Sequence, residues 1–405
     1  MISTVSAGYR SEVPDLLQAF ESGKLIRPSF SVPSVVDVAS AIFQWAEVEA
    51  SPITANSHPI IDAIGDTEHL VFVIVDGLGM NFIRQMPSGS FLPGQVHMEL
   101  QTVWPSTTSA VLTSIATARW PNEHAIVGWD MYLNEIDAVA TIIKYQRRSD
   151  DVSLGNLGVG PGQAYPLPSL FSSVNHDMIS VVRDIADTPY SNYWTGNHPY
   201  IIYEKSDNGV KAVLERVEQV KGPAITYFYT STIDWMAHEF GTDSPKTENA
   251  LKKLDVQVER LVKGLRGKAK LVLTADHGHL NGVTQAIELC DPLMNYLDHE
   301  PWGDMREMHF AVTPFKESVF ESMFSDRFGE IAYLITTEEL EELRLMGPGL
   351  ITPTARRRIG THIAISKGSH AMKFMAPSLK RDRHIHRSHH SGLTPDEMLV
   401  PLIVA

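Results

Sequence analysis

His69-Leu-Val-Phe-Val-Ile-Val-Asp-Gly77 is an unbroken apolar run that closes on a carboxylate and a glycine. A run of this kind fits a strand buried on both faces of a parallel sheet, because strands with one wet face alternate instead. In open α/β sheets ligands gather at the carboxyl ends of strands, which is where Asp76 falls. Two further stretches repeat the pattern. Ala224-Ile-Thr-Tyr-Phe-Tyr-Thr-Ser-Thr-Ile-Asp234 ends on a carboxylate, and His238 follows four positions later. Lys268-Ala-Lys-Leu-Val-Leu-Thr-Ala-Asp-His-Gly278 ends on Asp276 with His277 adjacent. Taken singly, each aspartate is an ordinary turn residue. Three strand ends of the same design in one chain are hard to explain as core packing.

Between the first two strands lies Gln101-Thr-Val-Trp-Pro-Ser-Thr-Thr-Ser-Ala-Val-Leu-Thr-Ser-Ile-Ala-Thr-Ala-Arg-Trp-Pro121. Its alternation predicts a helix over Ser109–Ala118, stopped by Pro121, with Thr108 at or beside the N-cap. An anion that develops there meets unbonded N–H groups and the positive end of the helix dipole. D-x-x-x-H spacing puts Asp234 and His238 on one side of a helical turn, an arrangement suited to a shared metal. A late stretch, Lys380-Arg-Asp-Arg-His-Ile-His-Arg-Ser-His-His390, adds imidazoles and cations. It reads either as a solvated loop or as the source of one more ligand, His389 or His390. Asp76, Asp234, His238, Asp276, His277, one late histidine and the Thr108 hydroxyl are about what two cations of the zinc or manganese kind require. Two such ions hold the attacking and leaving oxygens of an in-line phosphoryl displacement. His279 reads as an outer-shell or exposed side chain.

The remainder sets bounds. With 405 residues the chain can bury a large core, and 34 Lys plus Arg against 48 Asp plus Glu leave it at −14. That excess repels polyphosphate backbones and excludes nucleic-acid polymers as main partners, while leaving room for a small phosphate ester held by metals. The one cysteine, Cys290, rules out an internal disulfide. No signal peptide and no membrane-length apolar run are read, so a cytoplasmic enzyme is expected, with a homo-oligomer left open. Residues 1–60 read as an irregular lead-in with one helix, Val36–Glu49. Residues 61–283 and 351–405 read as the metal-binding α/β core, with Met178–Ile185 as a strand, Lys246–Arg266 as an amphipathic helix and the C-terminal apolar run as a last strand. Strand–helix–strand–helix order over Met308–Leu345 suggests that 284–350 is a small α+β insertion, a lid over the sheet's edge.

Val75-Asp-Gly77, Pro105-Ser-Thr-Thr108, Asp234-x-x-x-His238, Asp276-His-Gly278 and the late His390-Ser-Gly-Leu-Thr-Pro-Asp-Glu-Met-Leu-Val-Pro run stand in order from about residue 69 onward. Together they resemble the alkaline phosphatase superfamily, and within it the nucleotide pyrophosphatase/phosphodiesterase branch. The resemblance implies a three-layer α/β sandwich around a mostly parallel sheet. It implies Thr108 rather than Thr107 as nucleophile, counted back from Ala116-Thr-Ala118, and a covalent phosphothreonine in the cleavage of phosphodiester or pyrophosphate bonds of small substrates such as nucleotides. One metal would take Asp234, His238 and His390, chosen over His389; the other would take Asp76, Thr108, Asp276 and His277. Zinc is the expected ion, with manganese the other candidate. Two departures bear on the substrate. Trp129 stands near the family's phosphate-binding Asn, and Ala125 replaces a Gly, which shifts oxyanion stabilisation to the metals, the Ser109 N–H, or a cation such as Arg147, Arg148 or one from the basic loop. The competing readings are a phosphomonoesterase or phosphonate hydrolase on the same machinery, and a metal-binding regulatory protein without turnover.

Overall fold

The computed structural model describes residues 11–183, 188–288, 290–375 and 384–405. Met1–Arg10, the end of the expected Met178–Ile185 strand and Lys380–Arg383 of the basic stretch lie outside them. The architecture is α/β, built on a seven-stranded, mostly parallel sheet. Across the sheet the strands run Val96–Gln101, Leu399–Val404, Lys270–Thr274, His69–Val75, Ala224–Thr230, Asp177–Val182 and Tyr200–Ile202. Leu399–Val404 pairs antiparallel with both of its neighbours, and the other pairings are parallel.

Every residue of His69–Val75 and of Ala224–Thr230 is buried, as a strand covered on both faces must be. Their register aligns Val75 with Thr230, and Ile74 with Thr274 on the other side. The three carboxylate-ending runs are therefore neighbours whose C-terminal ends lie level. Helices supply the outer layers. Val35–Trp45 packs on Ser57–Ile64 and on Thr108–Thr117, while Pro245–Leu265 packs on Ser206–Gln219 and on the Lys270–Thr274 strand. Pro245–Leu265 starts where Ser244 accepts from Thr247 N at 3.1 Å and Pro245 opens the first turn, and it buries Leu251, Leu254, Val258, Leu261 and Leu265 at helical spacing.

The lead-in differs from expectation. Val13–Glu21 is helical as well as Val35–Trp45, since Leu16 and Ala19 give it a buried stripe too short to stand out as a period in the sequence. Pro121 also acts differently. The Thr108 helix ends at Ala118, which adopts the left-handed conformation at φ 48°, and Pro121 instead begins the short helix Pro121–His124.

A second, four-stranded antiparallel sheet orders Trp302–Gly303, Glu307–Phe310, His362–Ser366 and Ala332–Thr336. The helix Glu317–Phe328 covers it with Phe320, Phe324 and Phe328, four residues apart and fully buried in their own apolar cluster. Three of these strands come from 284–350 and the fourth from 362–366. The return segment pairs Val283–Glu288 with His370–Met375 and Leu280–Asn281 with Ser388–His389, which carries the late histidines back to the main sheet.

Candidate active site

The three strand ends deliver their carboxylates to one place. Gly77 makes this possible at the first. It holds φ 77°, and a Cβ there would stand 2.9 Å from the Asp234 Cα and from the His279 ring. Gly278 is as tightly placed, with a Cβ position 2.0 Å from the Asp396 carbonyl oxygen. Each turn lets a carboxylate leave its strand while the backbone closes against its neighbour.

Two groups of side chains form. In the first, His277 Nε2 lies 3.6 Å from Asp76 Oδ1, 3.6 Å from Asp276 Oδ2 and 3.2 Å from Thr108 Oγ1. In the second, three imidazoles face Asp234 Oδ1: His279 Nε2 at 2.8 Å, His238 Nε2 at 3.3 Å and His390 Nε2 at 3.9 Å. The groups touch, since the His277 and His390 rings stack with centroids 3.8 Å apart. His238 Nδ1 reaches the Ser388 carbonyl at 2.8 Å and His390 Nδ1 the Ser106 carbonyl at 3.2 Å, so each ring presents Nε2 inward. Expected residues Asp76, Thr108, Asp234, His238, Asp276, His277 and His390 thus all lie in this centre. His389 points elsewhere, with its Nε2 3.1 Å from Thr284 Oγ1. His279 is not exposed; it is fully buried and belongs to the Asp234 group.

Thr108 is the first helical residue, with Thr107 as N-cap in extended conformation. The first intrahelical bond runs from Val111 N to Thr107 O, so the N–H groups of Thr108, Ser109 and Ala110 precede it. Thr107 does not cap with its side chain; its hydroxyl donates to Asp304 Oδ2 at 2.8 Å. Asp304 comes from the second sheet and lies 3.8 Å from His390 Nδ1, and burial pushes its carboxyl up to about 6. Tyr229 donates its hydroxyl to Asp76 Oδ2. Sequence reasoning missed two residues, Tyr229 and the Asp304 that partners Thr107. No local signal marks them, because each acts through a contact made between distant segments.

The electrostatics differ between the two groups: against the effect of burial, Asp234 raises the His238 imidazole that it faces, while the other two carboxylates repel one another. Burial, then repulsion from Asp234 and Asp276, raises the Asp76 carboxyl well above its usual range, and burial raises Asp276 as well. Burial alone would raise Asp234, but His238 and His279 facing it hold it well below. Burial lowers His279 to about 4 and drives His390 well down, which leaves neutral imidazoles able to donate a lone pair. Asp76 Oδ1 and Asp276 Oδ2 are enclosed and have no hydrogen-bond partner among the described residues. Orphaned buried carboxylate oxygens are costly, and a divalent cation between them satisfies both. The residues present fit two cations.

The centre opens into a cleft of about 940 Å³ that holds both polar and apolar side chains, Trp129, Trp235, Phe374, Lys144, Arg148 and Lys373 among them. Arg147 is engaged by Asp150. Arg148 lines the cleft but is held by the Pro301 carbonyl at 2.9 Å and Glu300 at 3.2 Å.

A sequence model described as type I phosphodiesterase / nucleotide pyrophosphatase matches residues 70–322, more than half of the 405-residue chain. The chain belongs to the type I phosphodiesterase/nucleotide pyrophosphatase family. No curated protein matches it by sequence. Among solved structures, murine ectonucleotide pyrophosphatase/phosphodiesterase 5, an inactive variant in complex with AMP, is similar with a TM-score of 0.60 at 16% identity, over 83% of this chain and 87% of that one. The human protein of the same name is similar with a TM-score of 0.60 at 16% identity, over 83% and 87%. At such identity the likeness is one of fold, and it extends the type I phosphodiesterase architecture beyond the residues matched by sequence. Within this family member Ala125 stands at φ 62°, a conformation that costs a non-glycine residue about 1–2 kcal/mol. Arg358, buried, donates to the Ala125 carbonyl at 2.8 Å and holds the turn in place. Trp129 then reaches the cleft beyond that turn.

Proposed function

We propose that this protein is a two-metal hydrolase of phosphodiester or pyrophosphate bonds in small substrates such as nucleotides, with Thr108 as nucleophile. Asp76, Asp276, His277 and Thr108 would hold one divalent cation, and Asp234, His238 and His390 the other, zinc being the ion best suited to this donor set and manganese the alternative. Bound there, the ions supply charge neutralisation for the phosphoryl group and acidify the threonine hydroxyl and a water. Thr108 Oγ1, as the alkoxide, attacks phosphorus. The bond from phosphorus to the leaving oxygen breaks, and a phosphothreonine remains. Water then cleaves the new P–O bond and restores the hydroxyl. Thr108 and Ser109 N–H, ahead of the helix's first bond, face the non-bridging oxygens as the dipole's positive end. His238 and His390 are oriented by the Ser388 and Ser106 carbonyls.

The observation that carries this reading is the pair of enclosed, unpartnered oxygens, Asp76 Oδ1 and Asp276 Oδ2, each 3.6 Å from His277 Nε2 beside the Thr108 hydroxyl. The test pairs metal content by mass spectrometry with turnover of bis(p-nitrophenyl) phosphate against p-nitrophenyl phosphate, followed by a panel of nucleotide diesters and sugar nucleotides. Faster diester turnover is expected. Preference for the monoester would assign the protein as a phosphomonoesterase, and bound metals without turnover of either would make it a binding protein.

A further inference from the structure

Another set of ligand-forming side chains lies at the rim of the cleft. Glu239 follows His238 directly on the helix Thr232–Phe240, and its carboxylate serves a different partner. Glu239 Oε1 lies 2.8 Å from His384 Nε2. His386 stands beside them, its ring centroid 5.0 Å from that of His384 and 4.3 Å from that of His238. One ligand atom from each of Glu239, His384 and His386 falls within 4.8 Å of the others.

An ion pair accounts for Glu239 and His384. It leaves His386 unexplained, because His386 Nδ1 is enclosed and has no hydrogen-bond partner among the described residues. Two imidazoles and one carboxylate around a point, with solvent on one side, are the donor set of a three-ligand zinc site that keeps its fourth position for water. Glu239 and His386 line the same cleft as Thr108.

We propose that Glu239, His384 and His386 bind a further divalent cation of the zinc class at the cleft rim. It would tie the helix Thr232–Phe240 to the segment that leads, through Arg387 N bonded to the His238 carbonyl at 2.8 Å, into Ser388–His389 and His390. Residues 384–387 would be fastened to that helix beside the cleft, and positive charge would face an arriving anion.

The test is a count of bound zinc. Metal-free full-length protein is titrated with Zn²⁺, freed of excess by gel filtration and measured by mass spectrometry. The unsubstituted protein is expected to hold three equivalents, and Glu239→Gln and His384→Gln each one fewer. His386→Gln should lose one as well, but it touches His238, so the two outer substitutions carry the comparison. Variants that hold as many equivalents as the unsubstituted protein overturn the proposal. The difference does not depend on how many ions the Thr108 centre takes, and Asp276→Asn, which should cost that centre its metal, reports on the proposed function separately.

Discussion

Thr108 Oγ1 and His277 Nε2 lie 3.2 Å apart although 169 positions separate them in the chain. The contact joins the first turn of one helix to the end of the Lys270–Thr274 strand, and both residues are buried. A buried hydroxyl lining the cleft and held against an imidazole beside two carboxylates is the geometry on which the proposed attack rests.

Thr108→Ala should lower turnover by about 10³-fold or more, as removal of a nucleophile does. Metal content should stay within one equivalent of the unsubstituted protein, because Asp76, Asp276 and His277 remain. Thr108→Ser should keep measurable activity. Full activity in the alanine variant would rule out a covalent phosphothreonine.

Asp76→Asn should act in opposite directions with and without metal. In the metal-free protein it removes a carboxyl whose charged form burial, then repulsion from Asp234 and Asp276, disfavours, so stability should rise. With zinc at a hundredfold excess over its dissociation constant, the unsubstituted protein gains about 2.7 kcal/mol that the variant forgoes. Thermal melts with chelator and with Zn²⁺ check both signs. A variant less stable in chelator would mean that Asp76 is held by something other than a cation.

His390→Ala and His238→Ala should weaken zinc binding by about 10–100-fold or more, while His389→Ala, whose ring faces Thr284, should leave it within a few-fold. Competition with a chromogenic chelator measures all three. Equal losses would show that the Asp234 group is not the ligand set.

His124 gives a pH dependence away from the proposed metal centre. It is fully enclosed, Nε2 lies 2.8 Å from Ser114 Oγ, and Nδ1 accepts from Ile126 N at 3.1 Å. Burial, then the charge of Arg358, lowers it to about 3 from 6.5. The unfolded chain therefore binds a proton that the folded chain refuses. The contribution is intact above pH 6.5 and is lost as pH falls toward about 3, at up to about 1.4 kcal/mol per pH unit. In His124→Gln the slope of stability against pH over that window should be shallower by that amount; an unchanged slope would refute the assignment.

Much of the centre is legible in the sequence because its carboxylates stand just past buried strands, Asp234 in the first turn of the helix that follows. Asp76, Asp234 and Asp276 each follow an apolar run, and a buried parallel strand announces itself without any long-range information. Thr108 is marked by helix-start chemistry. Tyr229 and Asp304 are invisible by the same logic: a strand tyrosine and a carboxylate in a small insertion become part of the site only when Ala224–Thr230 and Trp302–Gly303 reach it from elsewhere. His279 sits one residue past a glycine whose turn decides its direction, and no periodicity encodes that turn. The helix Val13–Glu21 went unread because nine residues are too few for an apolar stripe to repeat.

The antiparallel strand Leu399–Val404 lies between Val96–Gln101 and the body of the sheet. During synthesis Val96–Gln101 leaves the ribosome long before the strand that will hold it. Until Leu399 onward has emerged, that early segment lacks its neighbouring strand, and the Lys270–Thr274 edge stands open to other chains. A nascent chain stalled before His390 lacks both that strand and a member of the Asp234 group, so such incomplete products carry an open sheet edge and an unfinished site together.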